Sequence, residues 1–408
     1  MLTRFASVLF VLGSVSAVAQ GRTWVIDEAN GPGTDFLDLP PAEAAAADGD
    51  VFAIRAGSYH GFATTKALTL IGTPGLTKVI TPMIGLPVFE VTNVPAGRTF
   101  AARDVVIQTL GMTTHVVFRN CVGPIVLQGI EDENSYFAVS LDFYSCGAVC
   151  LSACGQNQST FDAGIGVIAS ASDVTIQGCR LRGQYAALDP RGLNLYAAPA
   201  VRASSGSRVF LADSQLAGGA GAHEWPFIGT YRTSAAGLDL QASSARIGLG
   251  CDIAAGSGAT PTLPVPAIGG TGSIDLDPSV PLAPFGSAPP IAPTVTVTTR
   301  VVSALTASGG TLGGQVQLDL RSAPTRPFVL AVGQLEAAVP TPFGSLFLAP
   351  ATMVVLGGGL QTTQGVVTFV LSVPSNPTLS GLHLAWQAAT EDPLGRVDLA
   401  NPAAVLLR

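Results

Sequence analysis

The sequence is poor in charged residues, and lysine is almost absent. Only 12% of the 408 residues are charged, and lysine occurs only at Lys66 and Lys78. Nucleic acid requires a basic stripe or patch, and anionic lipid requires clustered basic residues. A chain with scattered arginines and a formal net charge of −7 has neither feature. We therefore expect no nucleic-acid partner and no attraction to an anionic membrane.

Long apolar runs are also lacking. The N-terminal run Phe5–Gly13 follows Arg4 and precedes Ala17-Val18-Ala19, the order found in a signal peptide with an A-x-A cleavage site. A membrane-spanning helix needs about 20 apolar residues, and no later segment reaches that length without glycine, proline or a charge. We expect residues 1–19 to be a signal peptide, no transmembrane segment after its removal, and a protein that is secreted or at the cell surface.

Cysteine is scarce, and its spacing does not form a metal motif. The six cysteines are Cys121, Cys146, Cys150, Cys154, Cys179 and Cys251. Cys146, Cys150 and Cys154 would share one helix face, but the sequence around them favours a strand, and no histidine lies near enough to complete a thiolate site. We expect no metal and no cofactor. For an exported chain two alternatives remain open: disulfides of unknown pairing, or small buried thiols in the core.

What the sequence does contain is a repeated short pattern. An apolar residue, a free position and a second apolar residue are followed, after two more positions, by Cys, Ser or Thr. The copies are Val116–Cys121, Leu141–Cys146, Val174–Cys179, Val209–Ser214 and Leu238–Ser243, with looser copies at Leu68–Thr73 and Val105–Leu110. Such repetition is typical of a chain that winds the same strand many times and buries the apolar row of each coil against its neighbours.

The pattern makes specific predictions about stacking. The first and third positions should point inward, so Phe118, Phe143, Ile176, Leu211 and Leu240 should form one core ladder. The small residues Cys121, Cys146, Cys179, Ser214 and Ser243 should form one ladder at a corner. The step of 11 residues from Val105 to Val116 is too short for a full coil, so these two copies should lie on different sheets of one turn.

A short cap precedes the repeats. Ala42–Ala47 is a run of strong helix formers, and Pro40-Pro41 limits where that helix can begin. The sequence Ala45-Ala-Ala-Asp-Gly-Asp-Val-Phe-Ala-Ile54-x-x-Gly57-x-Tyr59, followed by Leu68-Thr-Leu-Ile-Gly72, resembles the opening of right-handed parallel β-helix proteins of the pectate-lyase-like superfamily. The resemblance covers roughly residues 23–277. It implies a fold more than an activity, because that superfamily includes many proteins with no known catalysis.

The C-terminal third has a different composition. Residues 278–293 are rich in proline and are expected to form a linker. Beyond them, strands separated by glycine and proline are expected near 315–320, 328–332, 345–348, 366–371, 382–388 and 404–407. The segments Gly381–Ala388 and Leu399–Asn401 resemble C-terminal modules of secreted bacterial proteins of unassigned function.

These observations predict an all-β fold. Residues 20–277 are expected to form a right-handed parallel β-helix with a short N-terminal cap helix. After the linker, residues 294–408 are expected to form a small antiparallel β-sandwich-like domain.

The outward positions of the repeat carry the candidate ligand-binding residues. Arg119, Asp142, Tyr144 and Gln177 are expected on neighbouring coils, as a strip that could bind a sugar; the alternative is an ordinary solvated sheet face. Asp142 and Asp239 are expected three coils apart, which is roughly 14 Å at about 4.8 Å per strand and exceeds the range of about 5–9.5 Å for glycoside hydrolysis. No catalytic residue is assigned.

Two functions follow from these patterns. The first is a secreted, non-catalytic extracellular or cell-surface protein, glycan-binding or adhesive, whose partner is a polysaccharide or cell-surface glycan. The second is a carbohydrate-active enzyme, either a polysaccharide lyase or a pectin-esterase-like enzyme, acting on an outer face near Asp142. Only the second would use calcium, and it would then need several converging acidic ligands.

Overall fold

A computed structural model describes residues 21–80, 87–108, 114–133, 139–155, 164–184, 197–221, 233–257 and 263–408. The strands pair in parallel as far as Thr299 and antiparallel from Ala304 onward. The expected signal peptide lies outside the described residues. In the described ranges, no helix is both long enough and apolar enough to cross a membrane.

The parallel strands form three sheets that run along one stack of coils. Sheet A contains Phe62–Thr64, Phe89–Thr92, Thr114–Arg119, Val139–Tyr144, Ile165–Ser170 and Val201–Ser204. Sheet B contains Thr23–Ile26, Val51–Ile54, Thr69–Ile71, Phe100–Arg103, Ile125–Gln128, Val149–Ser152, Asp173–Gln177, Arg208–Ala212 and Val295–Thr299. The long strands Leu238–Ile247 and Ile268–Leu276 pass around a corner and pair in sheets A and B.

Sheet C consists of two stacks of short strands. The strands are Gly57–His60, Thr77–Ile80, Val106–Gln108 and Glu131–Glu133, then Arg180–Arg182, Gln215–Ala217, Asp252–Ala254 and Leu282–Ala283. The whole is the predicted right-handed parallel β-helix, with a continuous apolar core inside the coils. Val106–Gln108 lies in sheet C and Thr114–Arg119 in sheet A, so the short step of 11 residues does join two sheets of one turn.

A seven-residue helix, Leu39–Ala45, covers the start of the stack. The Asp38 carboxylate accepts a hydrogen bond from the Leu39 amide at 2.8 Å, and both prolines lie in the first turn, where their missing N–H groups cost nothing. Leu39 and Ala42 are buried in the β-helix core, so the helix caps its otherwise open end.

Most corners beside sheet B turn on a residue with positive φ. Between sheets A and B these residues are Asn93, Asn120, Ser145, Ala171, Ser205 and Ala242, and between sheets B and C they are Asp104, Gly129, Ala153, Gly178, Asp213 and Gly250. The amide of the turn residue donates to a carbonyl of the next coil, as from Asn120 to Tyr144 at 2.8 Å. The residue that follows the turn packs inward and in most coils is small, which explains the Cys or Ser of the repeat, although Val94, Val105 and Ile130 are larger.

The predicted single core ladder is wrong, because the copies of the repeat lie on two sheets. In sheet A the inward row runs Phe118, Phe143, Ala169, Ala203, Leu240. In sheet B it runs Leu127, Leu151, Ile176, Leu211, Ile247. In both sheets the strand before a corner has two inward apolar residues separated by one outward position. The same sequence pattern therefore occurs twice in a coil. Phe118 and Phe143 stack with their ring centroids 5.1 Å apart.

The corner ladder likewise divides into two. The Cys146 amide donates to Ser172 Oγ at 3.0 Å, and the Ser172 amide donates to Ser207 Oγ at 3.1 Å. At the other corner the Cys179 amide donates to Ser214 Oγ at 3.1 Å. Cys179 and Ser214 therefore belong to a different ladder from Cys121 and Cys146.

The six cysteines are buried free thiols, so the structure has the core packing and not the disulfides that the sequence also allowed. Cys121, Cys146, Cys154, Cys179 and Cys251 lie in the β-helix core. Cys150 lies on the outer side of sheet B, beneath the C-terminal domain. Burial raises the pKa of Cys150 and of Cys251 to about 12, which keeps both thiols protonated at neutral pH.

The proline-rich segment 278–293 is not a linker but most of the last coil. Leu282–Ala283 pairs with Ile253 and Ala254 in sheet C, Ile291 forms a bridge with Ile268, and Val295–Thr299 pairs in sheet B. The prolines occupy bends between these short pairings, where no ladder N–H is required. The β-helix therefore extends to Thr299, beyond the predicted end at residue 277.

The C-terminal domain consists of antiparallel sheets, as predicted. One has three strands, Ala304–Gly309, Gln315–Arg321 and Val366–Ser372. The other contains Val354–Leu360, Pro327–Gly333 and His383–Glu391, with Val397–Leu399 and Ala403–Leu406 both paired to His383–Glu391. A hairpin of Leu335–Thr341 and Gly344–Leu348 and the short 3-10 helix Pro377–Leu379 complete it. The sheets enclose a core around Trp386.

The C-terminal domain packs on the outer face of sheet B. An apolar outward row of Ala101, Val126 and Cys150 is buried against Leu335, Leu348, Ala385, Ala404 and Leu406. The adjacent outward row is polar and hydrogen-bonds the backbone of the domain. Gln128 Oε1 accepts from the Leu406 amide at 3.0 Å, and the Arg103 guanidinium donates to the Gly309 and Gly310 carbonyls at 3.1 and 3.2 Å.

Candidate functional site

The outer face of sheet A carries a file of hydrogen-bonding side chains parallel to the axis of the β-helix. The register places Thr92, Arg119, Tyr144, Ser170, Ser204, Gln241 and Thr271 side by side, one from each coil, and we call this row the polar file. All seven are exposed or half-buried. Neighbouring members are about 4.8 Å apart, the spacing of paired strands. The file can therefore offer donors and acceptors along an extended ligand.

Arg119 and Tyr144 form the centre of this surface. The Arg119 guanidinium carbon lies 4.5 Å from the centroid of the Tyr144 ring, within cation–π range. Arg119 Nε also lies 3.5 Å from Glu90 Oε1. Burial, and after it the negative charge of Asp142, raises the pKa of Tyr144, so its hydroxyl remains a hydrogen-bond donor at neutral pH.

Asp142 lies in the next outward row and orients a histidine. Only 3% of Asp142 is exposed, and its carboxylate accepts hydrogen bonds from Ser140 Oγ and, at 2.8 Å, from His115 Nδ1. This bond is the main reason that the pKa of His115 is raised, against the opposing effect of burial. Because Nδ1 is engaged, Nε2 is the ring nitrogen left for a ligand.

Gln177 does not belong to this surface. It lies in sheet B, is 1% exposed, and donates to the Ala404 carbonyl at 3.5 Å beneath the C-terminal domain. The predicted strip of four residues is therefore corrected to three, Arg119, Asp142 and Tyr144. The error follows from the single ladder, which placed the copy at Val174 on the same sheet as the copy at Leu141.

The separations of the carboxylates limit the chemistry. Asp142, Ile168, Arg202 and Asp239 are successive partners, so the two aspartates are three coils apart, roughly 14 Å. Glu90 is nearer, two coils from Asp142 or roughly 10 Å. Glu90 contacts Arg119, and Asp142 already binds His115 and Ser140. The first spacing is too long for the carboxylate pair of a glycosidase, and the second lies at the upper limit of about 9.5 Å, with both carboxylates already engaged.

A small cleft lies at the seam between sheet B and the C-terminal domain. Phe210 and Arg246 line one side, and Phe347 and Leu399 line the other. Arg246 lies 5.0 Å from the Phe210 centroid, donates to the Leu399 carbonyl at 2.9 Å and pairs with Asp398. The volume is about 90 Å³, well below the several hundred Å³ typical of ligand pockets. Its polar contacts join the two domains, so it is part of their interface.

The described ranges contain no group of three or more His, Cys, Asp or Glu side chains arranged to hold a metal ion. The acidic strand Glu131–Glu133 is the densest run of carboxylates in the sequence. It lies in sheet C, where Glu133 pairs with Lys78 at 2.7 Å.

Sequence reasoning missed His115 and Glu90. The signal for His115 was available, because aligning the copies at Val116 and Leu141 places His115 beside Ser140 and diagonal to Asp142. Glu90 occupies the outward second position of Phe89–Val94, a looser copy of the repeat that ends in Val and was not recognised in the sequence.

No protein-family model matches the sequence, and no curated protein matches it. Among solved structures, the chain is similar to full-length tailspike protein 2 of Escherichia coli O157:H7 bacteriophage CAB120, with 10% sequence identity and a TM-score of 0.24. The match covers 87% of this chain and 63% of the tailspike chain, so this chain spans less than two thirds of the tailspike's length. This TM-score is too low to carry an argument, and the fold rests on the strand pairings described above.

Proposed function

We propose that this chain is an extracellular, non-catalytic β-helix protein that binds a polysaccharide along the outer face of sheet A. The observation that carries the proposal is the polar file, in which exposed hydroxyl, amide and guanidinium groups and one aromatic ring repeat at the strand spacing. A sugar chain presents hydroxyl groups that pair with such side chains and C–H faces that pack on an aromatic ring. Export and the pectate-lyase-like affiliation are parts of the same proposal.

The first test is binding of the full chain to a panel of neutral and acidic polysaccharides, measured by titration calorimetry. Tyr144→Ala and Arg119→Ala should each weaken binding at least tenfold. Each removes a central contact, and about 1.4 kcal/mol corresponds to that factor. Phe343→Ala is the matched control, because Phe343 is an aromatic residue that is 51% exposed on the C-terminal domain. If no polysaccharide binds, or if the Phe343 variant loses binding equally, the proposal is wrong.

A carbohydrate-active enzyme is the second candidate, and the His115–Asp142 pair favours it. A histidine held by a carboxylate is a common general acid or base. Release of reducing or unsaturated ends from the same polysaccharides, or of methanol or acetate from their esterified forms, with and without calcium, would show turnover. Loss of that release in His115→Gln, with binding retained, would assign the catalysis to this histidine. Binding with no release, in either condition, would favour the non-catalytic function.

A further inference from the structure

One side of the C-terminal domain ends in an open sheet edge. Val366–Ser372 is the outermost strand of the three-stranded sheet, where it pairs with Gln315–Arg321 in regular register along all seven residues. No other strand of the described chain pairs with its opposite edge. The sheet continues from this edge strand through Gln315–Arg321 to Ala304–Gly309, which contacts the β-helix strand Arg208–Ala212. The open edge therefore faces away from the β-helix.

The core of the sandwich is incomplete along this edge. Val367, Phe369 and Leu371 lie on the inward face, opposite the buried Leu320, Leu318 and Val316. These edge residues pack against the core, and the ring centroids of Phe369 and Phe328 are 5.8 Å apart. All three edge residues nevertheless remain half-buried. A further strand beside Val366–Ser372 would cover them.

The edge lacks the features that normally prevent strand pairing. Residues 337–390 contain no Lys, Arg, Asp or Glu, and the edge strand contains no proline or glycine. Its residues are mainly β-branched or aromatic, the types that favour strands. Edge strands that are not interaction sites usually carry charges, prolines or bulges that block a partner. The structure supplies none of these here, and Val370 is 54% exposed on the outer face.

We propose that this edge pairs with the same edge of a second copy of the chain, antiparallel and centred on Phe369. Around that centre Val366 lies opposite Ser372 of the partner copy, Val367 opposite Leu371, and Phe369 opposite itself. In this register the inward, odd-numbered residues of one copy lie opposite the inward residues of the other. The inward residues of both copies therefore stay on the core side of one continuous six-stranded sheet.

The strand's own sequence argues for a second copy as the occupant. The inward residues Val367, Phe369 and Leu371 are all apolar, and the proposed register matches them only with one another. The edge strand itself contains no charged residue, and the carboxylate beside it, Asp319 of the neighbouring strand, already accepts a hydrogen bond from Thr368 Oγ1 at 2.6 Å, so the strand offers a second copy little repulsion and a charged partner little attraction. A two-fold contact of this kind closes on itself and produces a dimer, not a fibre.

Cysteine cross-linking tests the register directly. In the double variant Val366→Cys/Ser372→Cys, each new thiol would face the other new thiol of the second copy, and oxidation should give a covalent dimer on a non-reducing gel. Within one chain the two positions are about 20 Å apart, too far for a disulfide. The single variants should remain monomeric on the gel, because each new thiol would face Ser372 or Val366. Cross-linking of a single variant, or none in the double variant, would contradict the proposed pairing.

Light scattering of the full chain tests the assembly without cross-linking. The wild-type protein should have twice the mass of the chain, and Val370→Lys should have the mass of a monomer, because the new charge lies at the paired edge. Leu394→Lys is the matched control, since Leu394 is an apolar residue of the same domain that is 76% exposed and lies between two strands of the other sheet, His383–Glu391 and Val397–Leu399. A monomeric wild type, or a dimeric Val370→Lys variant, would overturn the proposal.

Discussion

At the scale of single residues, the shape of the coil depends on the left-handed residues at its corners. Asparagine, aspartate and glycine adopt positive φ readily, but Ala153, Ala171 and Ala242 do so with φ near 50°. An alanine in this conformation costs roughly 1–2 kcal/mol because its Cβ approaches the following carbonyl. These alanines remain because the stacking of the coils above and below imposes the turn.

This strain predicts that Ala171→Gly stabilises the protein. Ala171 is exposed, so the substitution removes the strain without opening a cavity. The gain should be about 1 kcal/mol in the free energy of unfolding, after allowance for the greater freedom of glycine in the unfolded chain. Ala63→Gly, at an exposed position within a strand, should instead destabilise by about 0.5–1 kcal/mol. If a guanidinium titration showed that both variants change the free energy of unfolding in the same direction, this account of the corners would be refuted.

The repeat allowed the inward and outward residues to be predicted, but not the sheet to which each copy belongs. At both corners beside sheet B most coils have an inward apolar residue, a left-handed residue and a small inward residue, so their sequences look alike. Gln177 was misplaced for this reason, whereas Arg119 and Tyr144 were correctly placed beside each other.

At the scale of elements, sheets A and B have similar polar rows on their outer faces, but one row is exposed and the other is covered by the C-terminal domain. The polar row of sheet A forms the polar file. In the polar row of sheet B, Arg103, Gln128 and Gln177 hydrogen-bond the backbone of the C-terminal domain. Ser152 Oγ of the same row is buried without a partner among the described residues. Gln128 illustrates the second case, because it is 7% exposed and accepts from the Leu406 amide. The sequence could not separate these cases, since Gln128 and Gln241 occupy equivalent positions before a corner.

Substituting each of these two glutamines by leucine should distinguish the buried glutamine from the exposed one by its effect on stability. Gln128→Leu leaves the Leu406 amide buried without an acceptor, and we expect it to reduce the free energy of unfolding by about 2 kcal/mol. Gln241→Leu is the matched control, and because Gln241 is exposed we expect a change within about 0.5 kcal/mol. Comparable losses in chemical denaturation would contradict the docking of the domain on sheet B.

At the scale of the whole molecule, His383 is one of the contacts between the β-helix and the C-terminal domain. Its Nε2 lies 3.1 Å from Thr99 Oγ1 of the β-helix. Burial lowers the pKa of His383 to about 4. The unfolded chain therefore takes up a proton near pH 6.5 while the folded chain does not, and stability is lost as the pH falls from about 6.5 toward 4.

This coupling predicts acid sensitivity that depends on His383. The loss over that range should reach at most about 3 kcal/mol, less to the extent that water reaches the ring. His383→Gln should flatten the pH dependence of the unfolding free energy between pH 6.5 and 4. Ala63→Gly, which lowers stability without changing a titratable group, should keep the wild-type slope. An unchanged slope in His383→Gln would show that this histidine does not carry the effect.

The all-β architecture and the antiparallel character of the C-terminal domain could be predicted because they depend on local periodicity. The course of residues 278–293 could not be predicted. Proline has no N–H group to donate to a neighbouring strand, but this does not indicate whether the chain leaves the stack or bends around it. The docking on sheet B could not be predicted either, since it joins residues such as Arg103 and Leu406, which lie far apart in the sequence.

The most direct measurement of the central claim is amide hydrogen exchange of the full chain with and without the polysaccharide that binds it most tightly. We expect the ligand to slow exchange in Thr114–Arg119 and Val139–Tyr144, whose side chains form the centre of the outer face of sheet A. Exchange in the sheet C strands Arg180–Arg182 and Gln215–Ala217 should not change. Slowing confined to sheet C or to the C-terminal domain would contradict the account.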